Sequence, residues 1–211
     1  MAGSVMVAVG AARETVLPEL IERTKGLRVG DGMTDGVAVG PLVSADARDR
    51  VRGWIDIGEQ EGATVAVDGR DPGDVPGGGA FVGPTILTDV TPEMQVAREE
   101  IFGPVLSVIC VDTFDEAIEI VNSSRYGNGT SIFTESGAAA RRYRHDVEVG
   151  MIGVNVGVAA PVAFFPFSGW KDSFLGDLHA HGGDAVEFFT KKTTVTSRWF
   201  SQGETGRFFV E

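Results

Sequence analysis

Cysteine is nearly absent from this sequence, which contains one, Cys110, among 211 residues. A single cysteine excludes an internal disulfide and a zinc site built on several thiolates, and it is typical of proteins in a reducing cytoplasm. Cys110 stands in the apolar run 106–111, where a cysteine is more often a small hydrophobic residue than a reactive nucleophile. The sequence therefore predicts a cytoplasmic protein in which Cys110 is buried.

Basic residues and long apolar segments are also scarce. Lysine and arginine number 18 against 30 acidic residues, and the formal net charge of −12 argues against nucleic acid or an anionic membrane surface as a partner. No apolar run approaches the roughly 20 residues that span a bilayer, and the N-terminus lacks the layout of a secretion signal. The remaining composition, 43% hydrophobic and 23% charged residues, is that of an ordinary globular protein.

Strand and helix patterns alternate along the chain and predict an α/β fold. Strands are expected at 4–10, 63–67, 81–90, 106–111, 130–133 and 151–156. Helices are expected at 15–27, 45–61, from 114 onward and at 137–147. Strand, helix and strand at this spacing indicate βαβ units, and hence a parallel sheet with helices on its faces.

Several side chains mark where these helices begin. Ser44 is a good N-cap for the helix 45–61, and Thr113 with Glu116 has the pattern of a capping box. Pro18 suits the first turn of the helix 15–27, where no backbone donor is needed.

The C-terminal part differs in composition. Between 157 and 183 aromatic residues stand among proline and glycine, which is typical of a loop that covers the core or forms the wall of a pocket. Residues 185–200 are rich in β-branched and aromatic residues and are expected to form an extended strand, followed by a tail at 201–211. Because an unpaired terminal strand needs a partner, the sequence predicts a homo-oligomer formed through 185–200.

Residues 99–105, Glu-Glu-Ile-Phe-Gly-Pro-Val, lead into the strand 106–111. They place two carboxylates, an aromatic ring and a Gly-Pro kink at the mouth of a buried strand, and ligands of α/β proteins bind in crevices at strand ends. By itself such a segment is more often a structured turn than a site. An acid–base pair of Glu99 and Glu100 is disfavoured, because neighbours along an extended chain point to opposite faces.

This segment resembles the Glu-Ile-Phe-Gly-Pro segment of the aldehyde dehydrogenases, and the resemblance extends over residues 2–200. Other shared segments are Gly-Pro-Leu at 40–42, Phe-Val-Gly-Pro-Thr at 81–85 and Pro-Phe-Ser-Gly at 166–169. Four more are similar to the CoA-acylating methylmalonate-semialdehyde dehydrogenases. They are Tyr-Gly-Asn-Gly-Thr at 126–130, Val-Gly-Met-Ile-Gly-Val-Asn at 149–155, Ser-Phe-Leu-Gly-Asp at 173–177 and Lys-Thr-Thr-Val-Thr-Ser-Arg-Trp at 192–199.

The resemblance implies how the chain is divided. Residues 1–184 would be the catalytic domain of the aldehyde dehydrogenase fold, truncated at its start, and the dinucleotide-binding domain would be absent. Residues 185–200 would be the oligomerisation strand. In the family the nucleophilic cysteine immediately precedes the strand that matches 4–10, so it would lie upstream of Met1 and this chain would hold no catalytic residue.

The resemblance also implies a reaction in which a cysteine thiolate attacks a semialdehyde, hydride passes to NAD and the acyl group passes to coenzyme A. Glu100 would accept hydrogen bonds from the nicotinamide ribose, because a carboxylate offers two acceptor oxygens to two vicinal hydroxyls. Phe102 would pack beside the nicotinamide, and Phe167 would line the acyl pocket. His179 and His181 could suggest a metal site, but their loop is variable in the family and binds no metal, so none is expected.

Without the nucleophile and the dinucleotide-binding domain, the isolated chain is expected to be inactive and to bind neither NAD nor coenzyme A tightly. The alternative is a non-catalytic interaction protein derived from an aldehyde dehydrogenase, which pairs through 185–200. In either case, apolar surface that a missing part would cover is expected to make the chain self-associate.

Overall fold

Six helices and ten strands make up residues 3–199, the part of the chain that the computed structural model describes. The helices are α1 (Ala12–Lys25), α2 (Ala45–Glu61), α3 (Gln95–Arg98), α4 (Phe114–Ser123), α5 (Gly137–Asp146) and α6 (Gly182–Phe189). The strands are β1 (Val5–Val9), β2 (Arg28–Val29), β3 (Val37–Val39), β4 (Thr64–Val67), β5 (Thr85–Thr88), β6 (Val105–Val111), β7 (Tyr126–Gly127), β8 (Gly129–Ile132), β9 (Met151–Val154) and β10 (Trp170–Lys171). None of the described helices is both long and apolar enough to cross a membrane.

The central sheet has four strands in the order β1-β6-β5-β4. β1 and β5 run parallel to β6, with Val7 opposite Ile109 and Ile86 opposite Leu106, whereas β4 is antiparallel to β5. β8 and β9 form a second parallel pair, and β7 and β10 form a short antiparallel pair. The predicted parallel sheet is therefore confirmed for its central strands, with an antiparallel strand at one edge, as is common in α/β sheets.

Helices α1 and α2 cover opposite faces of the central sheet. Val51 of α2 packs with Ile109 of β6 in the largest buried cluster. Leu17 of α1 packs with Val108, the neighbouring residue of β6, in a second cluster. Adjacent residues of one strand thus enter two different cores, which explains why β6 reads as a continuous apolar run.

The predicted capping residues act as caps. The Ser44 hydroxyl accepts a hydrogen bond from the N–H of Ala47 at 3.1 Å, and α2 begins and ends where the sequence predicts. Thr113 and Glu116 form a complete capping box at the start of α4. Ser44 thus satisfies one backbone donor at the start of its helix, and the capping box satisfies two, the N–H groups of Glu116 and Thr113.

The predicted start of α1 is wrong by three residues. The helix begins at Ala12 and carries Pro18 in its interior, not in its first turn. Ala11 occupies the N-cap position and makes no side-chain cap hydrogen bond. Because the true start has no capping side chain, the sequence offers no signal for it, and Pro18 suggested a later one.

The predicted burial of Cys110 is also wrong, because its side chain is exposed. β5 pairs with β6 only as far as Ser107, so the last residues of β6 extend past that neighbouring strand. An apolar run predicts that a strand is covered along its length, but it does not show which of its last side chains the surrounding structure covers. Ile109 is 3% exposed, whereas Cys110 after it is exposed.

The extended strand predicted to begin at 185 is wrong over its first part. Residues 182–189 form helix α6, in which the Thr190 hydroxyl at the C-cap donates to the Val186 carbonyl at 2.7 Å. A helix satisfies its backbone within one segment, whereas a strand needs a neighbour, and none of the described residues pairs with 185–199. Residues 190–199 have no regular secondary structure, while residue 200 and the predicted tail lie outside the described residues.

Candidate functional site

Residues 99–104, here called the Glu100 turn, connect α3 to β6 and are held in place by contacts with α2. Ile101 is buried in the largest cluster, and Arg50 Nη1 donates to the Ile101 carbonyl at 2.8 Å. Gly103 lies so close to α2 that a Cβ built on it would stand 2.6 Å from Val51 Cγ2. The turn is therefore anchored by an inward side chain, a backbone hydrogen bond and a close backbone approach.

Glu100 and Phe102, the two predicted cofactor-binding residues, flank Ile101 and both lie at the surface. Glu100 is exposed, and its carboxylate has no hydrogen-bond donor among residues 3–199. Phe102 is 73% exposed and has a φ of 58°, in the left-handed region that a bulky residue rarely adopts. A strained, exposed aromatic residue next to an unpartnered carboxylate is an arrangement that contributes little to stability, and it is typical of a ligand site.

Glu99 is engaged differently from Glu100. Its Oε2 atom accepts a hydrogen bond from Arg125 Nη2 at 2.9 Å. The Tyr126 hydroxyl, also bonded to Arg125, and the Glu99 carboxylate both raise the pKa of the Arg125 guanidinium above its usual range. The two neighbouring carboxylates thus have separate environments, one paired with a permanent cation and one free to accept hydrogen bonds.

Phe167, the predicted pocket residue, lies on a different part of the chain. Its N–H donates to the Ala180 carbonyl at 2.8 Å, and the two residues form an isolated β-bridge. Its ring meets the His181 ring edge-on at 6.4 Å between centroids. Phe167 is half-buried, whereas Phe164 and Phe165 beside it are exposed. We call residues 164–181 the aromatic loop.

The Glu100 turn and the aromatic loop are connected through Arg125. Its side chain binds Glu99, and its backbone carbonyl accepts the N–H of Asp172 at 3.1 Å. Lys171 adds a second link, because its ammonium group donates to the carbonyls of Asn122 and Ser124 at 2.7 and 3.2 Å. The structure therefore brings Glu100 and Phe102 together on one turn and joins Phe167 to them indirectly.

His179, weighed above as a metal ligand, uses both ring nitrogens within the protein. Nδ1 lies 3.2 Å from Asp184 Oδ2, and Nε2 lies 3.1 Å from the Gly169 carbonyl oxygen. Residues 3–199 contain no group of three or more His, Cys, Asp or Glu side chains placed to hold a metal ion.

The Glu100 turn meets the central sheet at the edge where β1 and β6 begin. The two strands are parallel, and the Ser4 carbonyl accepts the N–H of Ser107 at 3.0 Å. A segment preceding β1 would therefore approach the Glu100 turn. Cys110 lies five residues after Val105, roughly 17 Å farther along β6 at 3.3 Å per residue, so its thiol is not at this edge.

Sequence reasoning missed the two arginines that hold this site together. Arg125 reaches Glu99 across 26 residues, and Arg50 reaches the Ile101 carbonyl across 51. Neither belongs to a recognisable pattern, and single long-range hydrogen bonds of flexible side chains leave no periodic signal. Only the tertiary structure shows them.

Comparison with known proteins agrees with these features. The sequence model of the aldehyde dehydrogenase family matches residues 1–195. Malonate-semialdehyde dehydrogenase 2 of Bacillus thuringiensis (strain Al Hakam) is 50% identical over 199 residues, which are 94% of this chain and 41% of that protein. Malonate-semialdehyde dehydrogenase 2 of Geobacillus kaustophilus (strain HTA426) is 47% identical with the same coverage. The chain thus spans about two fifths of the length of these curated relatives.

Solved structures give the same result. Methylmalonate-semialdehyde dehydrogenase from Oceanimonas doudoroffii superposes with a TM-score of 0.90 at 46% identity, covering 95% of this chain and 41% of that one. A protein from Sinorhizobium meliloti 1021, described as a methylmalonate-semialdehyde dehydrogenase and solved with NAD, has a TM-score of 0.89 at 40% identity. That match covers 94% of this chain and 41% of the neighbour.

Proposed function

Because the chain belongs to the aldehyde dehydrogenase family, we propose that it forms the nicotinamide-facing part of a semialdehyde dehydrogenase active site. The intact enzyme would be NAD-dependent and CoA-acylating, with malonate or methylmalonate semialdehyde as substrate. The proposal depends on one observation: Glu100 and Phe102 both face outward from a turn that is anchored beneath them. A relative that is 50% identical to this chain carries the name malonate-semialdehyde dehydrogenase, which supports the proposed substrate class.

The residues present suit NAD. The Glu100 carboxylate has no donor among residues 3–199, so both oxygens can accept hydrogen bonds from the two vicinal hydroxyls of the nicotinamide ribose. The exposed ring of Phe102 offers an apolar face to the nicotinamide. When bound, NAD supplies the hydride acceptor and coenzyme A the acyl acceptor. Phe167 would contribute to the wall of the acyl pocket.

The nucleophile and the dinucleotide-binding domain would come from the part of the enzyme that this chain does not span. A segment before β1 would approach the Glu100 turn, so a thiolate placed there would be close to Glu100 and Phe102. On this proposal the chain alone does not turn over aldehyde and binds NAD and coenzyme A weakly. The exposure of Cys110 makes its thiol accessible, but its distance along β6 separates it from the turn.

Complementation tests the proposal. The chain is co-expressed with the part of the Bacillus thuringiensis relative that it does not cover, and NADH formation is followed with malonate semialdehyde and coenzyme A. We expect no activity from either part alone and activity from the pair. Turnover by the chain alone would contradict the proposal, especially if Cys110→Ser removed it.

Glu100 is tested within that pair. Replacing Glu100 by Gln keeps its shape but removes the charge that strengthens two hydrogen bonds, so we expect the KM for NAD to rise on the order of tenfold. Glu119→Gln on the exposed face of α4 is the matched control and should leave kinetics unchanged. Equal effects of the two changes would contradict the role of Glu100.

An interaction protein remains the second candidate, supported by the apolar surface near the C-terminus. Phe188, Phe189, Val195 and Trp199 are all exposed in the single chain. Exposed apolar patches of this kind mark association surfaces. We propose that 190–199 pairs with a second copy, which light scattering would show as a dimer. Val195→Pro should dissociate it and Val195→Thr should not, whereas a monomer would remove this candidate.

A further inference from the structure

Ser107 is a polar residue in the middle of the apolar strand β6. Val105 and Ile109 share its face of the strand, and both belong to the largest buried cluster. Ser107 itself is 0% exposed. A hydroxyl group that is taken out of water costs free energy unless it finds a hydrogen-bond partner. The partner of the Ser107 hydroxyl therefore indicates why a polar side chain stands here.

That partner is the carbonyl group of Val96 in α3. Ser107 Oγ donates to the Val96 carbonyl oxygen at 2.9 Å, and the hydrogen bond is buried. Val96 is 1% exposed and belongs to the same cluster as the neighbours of Ser107 on β6. The two residues stand 11 positions apart, on either side of the Glu100 turn. One side chain thus joins the helix that precedes the turn to the strand that follows it.

The Val96 carbonyl lacks the donor that a continuing helix would supply. That donor would be the N–H of Glu100, four positions later. The backbone instead becomes extended at Glu99, whose N–H makes the last helical hydrogen bond, to the Gln95 carbonyl at 2.9 Å. In the described part of the chain, no backbone N–H donates to the Val96 carbonyl and the Glu100 N–H has no acceptor. The Ser107 hydroxyl takes the place of the Glu100 amide.

The other anchors of the Glu100 turn do not hold the backbone of Glu100. The Ile101 carbonyl accepts a hydrogen bond from α2, and Gly103 lies against the same helix, so both contacts act after Glu100. Before it, Glu99 pairs with Arg125, but these side chains are 42% and 54% exposed, and exposed ion pairs contribute little. The position of Glu100 therefore depends on where α3 ends.

We propose that the Ser107 hydroxyl ends α3 and thereby positions Glu100. Because the hydroxyl satisfies the Val96 carbonyl from the sheet, the chain can leave the helix before Glu100 without burying an unpaired acceptor. Without it, the Glu100 N–H supplies the missing hydrogen bond, which extends α3 and carries Glu100 away from its place on the turn. Ser107 is a positioning residue, since it acts through the end of α3. Only the consequence for NAD rests on the proposed function.

Amide hydrogen exchange of the isolated chain, resolved by NMR and corrected for intrinsic rates, tests the helix end. In the wild type we expect the Glu100 amide to exchange nearly freely, because it has no acceptor. In Ser107→Ala it should bond to the Val96 carbonyl, and its exchange should slow on the order of tenfold. A change that only destabilised the fold would not slow any exchange. Unchanged or faster exchange at Glu100 in this variant would overturn the proposal.

Thr85→Val is the matched control, because it removes a buried hydroxyl from the neighbouring strand β5. Thr85 is 2% exposed, and its hydroxyl accepts the N–H of Gly69 at 3.0 Å. The variant keeps the backbone hydrogen bond from residue 85 to the Pro104 carbonyl. It should lower the midpoint of urea unfolding and leave the exchange of the Glu100 amide unchanged. Slower Glu100 exchange in both variants would also overturn the proposal.

Ser107→Cys provides the same comparison if Ser107→Ala does not fold. Cysteine is similar in size to serine, but its S–H group is a weak donor. The Val96 carbonyl should then be satisfied only in part, and exchange at Glu100 should slow by a smaller factor. No change at Glu100 in a folded Ser107→Cys chain would contradict the role of the hydroxyl.

The consequence for the cofactor is measured in the complemented enzyme. Ser107→Ala should raise the KM for NAD on the order of tenfold and change kcat less, because Glu100 is displaced. Thr85→Val should leave this KM unchanged. Slower Glu100 exchange without a change in KM would contradict the role of Glu100 in binding NAD, but not the role of Ser107 at the helix end. A higher KM without slower exchange would contradict the role of Ser107, so the two proposals fail separately.

Discussion

The backbone of Gly103 rests directly on Val51. A Cβ built on Gly103 would stand 2.6 Å from Val51 Cγ2 and 2.7 Å from Cγ1, closer than real Cβ atoms approach a neighbour. Val51 is fully buried in the middle of the largest cluster, so it cannot move aside. The close approach fixes the distance between the Glu100 turn and α2, and it thereby positions the neighbouring residue Phe102.

Gly103→Ala should therefore destabilise the protein. Inserting a methyl group into a packed core costs about 1–3 kcal/mol, because side chains or backbone must shift. We expect a lower midpoint of urea unfolding with an unchanged slope. In the complemented enzyme the KM for NAD should also rise, since the turn that carries Glu100 is displaced.

Gly53→Ala is the matched comparison, on the helix that carries Val51. A Cβ on Gly53 would have no heavy atom within 4 Å, and alanine is favoured over glycine inside a helix by about 0.5–1 kcal/mol. This variant should be more stable than wild type. Equal losses of stability in the two alanine variants would show that the contact with Val51 does not determine the effect.

Phe102→Gly should leave the isolated chain as stable or more stable. Phe102 holds a φ of 58° while 73% exposed, so glycine relieves backbone strain and loses little burial. The relief of about 1–2 kcal/mol exceeds the entropy that glycine adds to the unfolded chain, so the free energy of unfolding should rise by up to about 1 kcal/mol. Differential scanning calorimetry measures the change.

Phe164→Gly is the control for Phe102→Gly. Phe164 is also exposed but is not among the residues with positive φ, so glycine there only adds unfolded-state entropy and should lower stability. A loss of more than about 1 kcal/mol in Phe102→Gly would mean that its ring packs in the folded chain, because strain relief alone cannot lower stability.

The sequence predicted the helices whose ends carry chemical signals. Ser44 fixed the start of α2, and Gly62, with a φ of 107°, closes it. Thr113 and Glu116 fixed the start of α4 in the same way. Each signal is a hydrogen bond or a backbone conformation within a few residues of the helix end. Local physics determined these elements, so they could be read from the sequence.

Predictions failed where a neighbour in space decided the outcome. Cys110 is exposed near the end of β6 although Ile109 before it is buried, and residues 185–189 are helical, with no described strand paired to them. For the site, the segment around Glu100 could be found because it is contiguous. Arg125 and the Asp184–His179 contact required the fold, since each joins residues that no short pattern connects.

We expect Tyr143 to make the stability of the protein sensitive to alkaline pH. Its side chain is buried between α4 and α5, and its hydroxyl lies 2.6 Å from Thr130 Oγ1. Burial raises the pKa of the Tyr143 phenol, and the hydrogen bond with Thr130 offsets part of that rise. Because the folded-state pKa lies above the unfolded value, the neutral phenol stabilises the fold fully below about pH 10, and this contribution is lost as pH rises through the folded-state value.

Tyr143→Phe should separate the contribution of the Tyr143–Thr130 hydrogen bond at neutral pH from the cost of ionising the buried phenol at alkaline pH. At neutral pH it removes one hydrogen bond and should cost about 1 kcal/mol, measured by urea unfolding. Above pH 10, set by the ordinary phenol pKa of about 10, the variant should lose less stability than wild type, because no buried phenol has to ionise. The chain has two tyrosines, so Tyr126→Phe is the natural control and should keep the alkaline loss. If Tyr126→Phe removed that loss and Tyr143→Phe did not, the alkaline sensitivity would belong to the Arg125 contact and not to the core between α4 and α5.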